Sequence, residues 1–454
     1  MGSLGSTRTV LGAAACAVTL AIAASAPAHG NSPNMSAFAD PTGSFRTLDV
    51  DGAVDLDNLF FQSLGTNGRS CGSCHEAADG WTIVPAHVQE RFRATRGTDP
   101  IFRTNDGSNS PYADVSTVGA RRRAYNMLLT KGLIRVGIGM PANADFDLLE
   151  VDDPYGYASA AELSLFRRPL PATNLPFLST VMWDGRETFA GRSLHFDLSD
   201  QANGATLGHA AATHPLTEGQ RNEIVRFETA LYTAQTFDDR AGALNAGRGH
   251  GGPVRLSRQP FFLGINDALS PGFDQRAFTL FDGWRHASRD DHDPGAEGRA
   301  AVYRGQEIFN TRTFIVSGVR GVNDTLGQPE IAATCTVCHD SPNVGNHSVA
   351  LPLDLGLTDE AMRTPDMPLY TFRSHATGEI VKTTDPGRAL ITGHFQDMSK
   401  FKGPVLRAAA TRAPYFHNGL AATLDDVVDF YDRRFNIGLS AREKRDLVAF
   451  LRSL

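Results

Sequence analysis

The sequence is poor in cysteine. Five cysteines in 454 residues, spread from Cys16 to Cys338, are too few and too far apart for a disulfide scaffold. It also lacks a basic excess: 43 Lys and Arg face 50 Asp and Glu, and the net charge is −7. A nucleic-acid binder of this size would carry a basic balance or a basic stripe, so that class is set aside. After the N-terminal 28 residues no apolar run is long enough to span a bilayer. What is present is globular: 41% hydrophobic and 20% charged residues exclude a disordered or fibrous chain. The length suits roughly two to three domains. The 44 Gly and 24 Pro point to a loop-rich fold.

Residues 1–28 read as a secretory signal peptide. Arg8 is the sole charge, an Ala-rich run covers Val10 to Ala24, and Ala26-Pro27-Ala28 is a small-x-small cleavage site before His29. The competing reading is an uncleaved anchor, which the Ala-rich composition suits poorly. Cleavage removes Cys16 and leaves four cysteines in an exported chain.

Those four occur as Cys71-Gly72-Ser73-Cys74-His75 and Cys335-Thr336-Val337-Cys338-His339. Each is a C-x-x-C-H string, the attachment signature of c-type haem. Two thiols one turn apart reach the vinyl groups on one porphyrin edge, and the adjacent imidazole, His75 or His339, becomes the proximal iron ligand. A zinc ribbon would bring its pairs within a few tens of residues. These pairs lie 264 residues apart. Two covalently bound haem c groups are the expected cofactors.

The chain is also doubled. Residues 216–231 and 439–454 match at an offset of 223, pairing Leu216 with Leu439, Val225 with Val448, Phe227 with Phe450 and Leu231 with Leu454. Thr217 and Ser440 are the expected N-caps of two amphipathic helices. A helix is expected before each motif, through Leu56, Leu59, Phe60 and Leu64 and through Val302, Gly305, Ile308 and Phe309. The reading is two homologous helical domains, 45–236 and 296–454, with 237–295 a linker or connecting lobe.

The order of the segments CGSCH, MWDGRE, CTVCHD and APYFHNG, followed by TLDDVVDFYDRRF, resembles the di-haem cytochrome c peroxidase family, including its MauG-like branch. The resemblance runs over roughly residues 45–454. It implies a mainly α fold of two cytochrome c-like domains, with peroxide reacting at the N-terminal haem and electrons held at the C-terminal one. It places Trp183 between the haems and Gln201 on the distal side. Ten residues after Gln201, where the family carries a catalytic Glu, this sequence has Ala211. His209 is the candidate acid/base instead. His87 is the candidate resting ligand of the first iron, against an exposed helix residue there and an open five-coordinate iron. The second iron takes Tyr431, as in the MauG-like branch, or Met398. Calcium is an optional further cofactor, for which the oxygen-rich segment 102–114 is the candidate, against a plain turn-rich loop.

The resulting functional expectation is a periplasmic peroxidase. It reduces hydrogen peroxide with electrons from a small donor such as a cytochrome c or a cupredoxin. The alternatives are a MauG-like oxidase of a protein substrate and a non-enzymatic electron carrier. A homodimer is left open.

Overall fold

The computed structural model describes residues 1–2, 30–287 and 293–454. The signal-peptide reading therefore falls almost wholly outside the described residues. The expectation of a mainly α fold is corrected: 31% of the structure is helix and 17% is strand. The strands form five small sheets of two to four members. Two of them, Leu163–Arg167 and Leu369–Ser374, are short and almost wholly buried, without the alternation that marks a half-exposed strand.

The doubled helices are present. Glu218–Ala230 and Ala441–Arg452 each begin with a reciprocal capping box, Thr217 with Gln220 and Ser440 with Glu443. Val225, Phe227, Val448 and Phe450 are all buried. Leu231 and Leu454 lie just past the helices and have no exposure.

The helix Ala296–Thr311 crosses Ala441–Arg452 at Gly305. A Cβ on Gly305 would stand 1.9 Å from the Asp446 carbonyl oxygen and 2.7 Å from the Phe450 Cβ, so only glycine allows this approach. Its counterpart in the first half is shorter than expected. A single 3₁₀ turn, Leu59–Phe61, replaces a helix. The Asn58 side chain caps it, and Gly65 and Gly68 end helical potential soon after. Phe60 and Phe61 nonetheless pack with Trp81 and Phe227, with ring centroids 5.1 to 6.4 Å apart.

Two features tie the halves together. Phe146–Asp152 pairs antiparallel with Leu369–Ser374, which pairs in turn with Ile380–Thr383. Arg167 also bonds Asp184 from its own half and Asp385 from the other, all three buried. Within 237–295, Phe278, Phe281 and Trp284 are buried in the same cluster as Phe309 and Phe450, so this stretch contributes to the C-terminal core.

Candidate active site

The two C-x-x-C-H strings adopt one local structure. Cys71–Ser73 and Cys335–Val337 are single 3₁₀ turns. The next two amides, of Cys74 and His75 and of Cys338 and His339, donate to the Cys71 or Cys335 carbonyl. This presents both thiols and the imidazole on one side. His75 Nδ1 lies 3.0 Å from the Trp81 carbonyl and His339 Nδ1 lies 2.6 Å from that of Gly345. A backbone carbonyl can only accept, so Nδ1 carries the proton and each Nε2 keeps a lone pair for a metal. These carbonyl partners were not legible in the sequence.

The four thiols form no disulfide. Burial pushes Cys71, Cys335 and Cys338 up to about 12 and raises Cys74 as well. A redox dithiol needs the opposite shift. Burial lowers His75 to about 4 and also lowers His339. Yet all six residues keep some accessible surface, so space is left beside each of them.

One such space is a cavity of about 280 Å³. Cys71, Cys74, His75, Trp183, Gln201 and His209 all line it, so the structure brings the expected first-centre residues together. Six cations line it, and three of them, Arg168, Lys402 and Arg412, stand apart from the rest. All three are buried, and none forms an ion pair among the described residues; they bond carbonyls only. Burial lowers Arg412 to about 9 and Lys402 to about 7. Arg412 Nη2 is buried with no partner at all. Buried cations without counter-charge are costly. A porphyrin attached at Cys71 and Cys74 carries propionates that would satisfy them, so the residues present fit that group.

His209 is the C-cap of the helix Leu194–Gly208. Its Nδ1 bonds Asp106, whose carboxylate also bonds Arg69. Burial raises the Asp106 carboxyl, but the cations of His209 and Arg69 outweigh it and hold it below the usual range. Asp106 belongs to the oxygen-rich segment 102–114, so its carboxylate is committed to His209 and Arg69. Among the described residues no group of three or more His, Cys, Asp or Glu could hold a metal ion. Trp183 donates Nε1–H to the Arg168 carbonyl at 2.8 Å and stands edge-on to His417 at 6.0 Å. His87 is half-exposed, bonds Asp79 and is not among the residues lining this cavity.

Glu228 also lines the cavity and was missed. It is buried, and burial pushes it up to about 8. A signal existed, because the repeat aligns Glu228 with the buried Leu451.

At the second motif, Tyr431 lies on the helix Leu424–Phe435 and feels the charges of Cys338 and Cys335; burial pushes its hydroxyl well up. Met398 is fully buried in a different cluster, with Tyr370, Phe372 and Phe395.

The first C-x-x-C-H turn opens on a cavity lined by buried cations and the second repeats its local structure, an arrangement that fits c-type haem attachment. No protein-family model matches the chain. It is 35% identical over 131 residues to a cytochrome-c peroxidase IdrP2 of Denitromonas iodatirespirans. It is 36% identical over 143 residues to an IdrP1 of Pseudomonas sp. (strain SCT), and 29% identical over 144 residues to a cytochrome c551 peroxidase of Nitrosomonas europaea. These matches cover 26%, 27% and 30% of this chain. They span only 35%, 36% and 37% of the relatives' own length. A solved MauG-like protein associated with microbial copper homeostasis aligns over 87% of this chain and 86% of its own, with 16% identity and a TM-score of 0.39. Over these stretches the chain is thus similar to cytochrome-c peroxidases, in keeping with the di-haem family its motif order resembles. The relatives' names imply haem c.

Proposed function

We propose that this chain is an exported, periplasmic di-haem c-type peroxidase. It reduces hydrogen peroxide with electrons from a small redox protein such as a cytochrome c or a cupredoxin. One observation carries the reading: Cys71, Cys74 and His75 share a cavity with Trp183, Gln201 and His209. Bound haem supplies an iron that exchanges single electrons and accepts an oxygen ligand. The chain's own residues do the rest. His75 offers Nε2 as proximal ligand, Gln201 offers a hydrogen-bonding amide, and His209 moves the proton. Each peroxide takes two electrons and two protons and leaves as two waters. Two attachment sites in one chain suit such a reaction fed by a one-electron donor.

The MauG-like alternative, oxidation of a protein substrate, draws on Tyr431. A phenolate is a hard anionic donor that favours ferric and higher states. The test is peroxide addition to the haem-loaded protein, followed by absorption spectroscopy. His209→Ala should slow the reaction by about 10²- to 10⁴-fold with haem content unchanged. If peroxide changes no spectrum in the oxidised or half-reduced protein, the chain is an electron carrier.

A further inference from the structure

His209 is held more firmly than an acid/base on a loop would need to be. Its carbonyl oxygen accepts from Asn67 Nδ2 at 2.7 Å, from Arg69 Nη1 at 3.3 Å and from Asn105 Nδ2 at 3.3 Å. The adjoining Ala210 carbonyl accepts from the Thr66 and Asn67 amides at 3.0 and 3.4 Å. That docking needs Gly65, where a Cβ would stand 1.9 Å from the Ala210 oxygen. The segment just before the first haem motif is therefore clamped onto the end of the His209 helix. Its Arg69 is anchored in turn, with Nε on the Pro100 carbonyl at 2.9 Å and Nη2 on that of Ile101 at 2.5 Å. Asp106 is buried between Arg69 and the His209 ring.

We propose that Asp106, itself fixed by Arg69, is a positioning residue that sets the tautomer and the charge of His209 for peroxide chemistry. This deepens the reading of His209 as the proton carrier and rests on it. The imidazole gives its Nδ1 proton to the Asp106 hydrogen bond, so the lone pair lies on Nε2. Nε2 takes a proton from hydrogen peroxide: the O–H bond breaks, its electron pair stays on oxygen, and an N–H bond forms. The imidazolium so made faces the Asp106 carboxylate, which stays ionised. As the O–O bond breaks, that proton goes to the oxygen that departs as water, the electrons for the cleavage being what bound haem would supply. The charged groups around His209 are Asp106 and Arg69, and the titratable one is His75, whose ring feels the His209 charge.

The test uses the haem-loaded protein with Asp106→Asn, and with Asp106→Asn/Arg69→Gln, which leaves no unpaired buried cation if the single variant does not fold. Two pH profiles are measured. One is the rate of the peroxide-induced spectral change. The other is the rate at which diethyl pyrocarbonate modifies His209, read by peptide mass spectrometry. Loss of the counter-charge should move both midpoints to lower pH, with haem content unchanged. A uniform fall in rate with neither midpoint moved makes Asp106 merely structural and overturns the proposal. So does a shift in modification with none in the peroxide profile. If His209→Ala leaves the peroxide rate intact, it is the underlying role of His209 that fails, whatever the modification midpoint does.

Discussion

Phe416 stands edge-on to Tyr431, with ring centroids 6.2 Å apart, and Phe416 also lines the cavity that His75 faces. A single aromatic side chain thus reaches from the neighbourhood of the second C-x-x-C-H turn to the wall of the first cavity. Tyr431 is further enclosed by Phe430 and Phe435 at 5.4 and 6.3 Å. This enclosure makes the identity of the second axial ligand a question that substitution can answer.

Tyr431→Phe should alter the absorption and EPR spectra of the C-terminal haem. Met398→Leu should leave them unchanged and cost less than about 1.5 kcal/mol of stability, because it is a near volume-conserving change within a core. A spectral change in the Met398 variant alone would reverse the assignment.

Cys71→Ala combined with Cys74→Ala should remove one covalent haem, and Cys335→Ala with Cys338→Ala the other. Intact-mass measurement reads this directly. A purified protein carrying zinc and no haem would end the haem reading.

Gly305→Ala should destabilise the C-terminal half by at least about 2 kcal/mol, since the helices must separate to admit the methyl group. Thermal melts read the loss. An unchanged melting temperature would mean that the crossing can relax.

Glu228 gives a pH dependence of known sign. Its folded value, about 8, lies above the ordinary 4.5, so the folded chain holds a proton that the unfolded chain releases. This stabilisation is full below about 4.5 and is lost as pH rises towards about 8. Glu228→Gln should flatten that part of the wild-type fall in melting temperature. If the two curves run parallel from acid to neutral pH, Glu228 is not titrating there.

Local chemistry was legible in the sequence and distant chemistry was not. The C-x-x-C-H turns and the two capped helices depend on residues within a few positions of one another, and both appear as read. Strand Phe146–Asp152 finds its partner in Leu369–Ser374, with Leu369 opposite Asp152. Nothing near either segment announces that pairing, which is how a mainly α reading went astray. Asp106 was part of an oxygen-rich run until the fold set it between Arg69 and His209. The pre-motif helix around Phe60 failed for a local reason: its apolar residues pack as an aromatic cluster on a single turn.

The three-way bond of Arg167 with Asp184 and Asp385 acts as a rivet. Cutting the chain between the halves and producing each separately would strand Asp385 on one piece and leave Arg167 Nε and Nη2 without their acceptors on the other, both at surfaces built to be dry. Removing one partner from such a pair typically costs about 3–5 kcal/mol. The two halves should therefore melt as one unit, and whatever passes between the centres passes through a stiff joint instead of a swinging one.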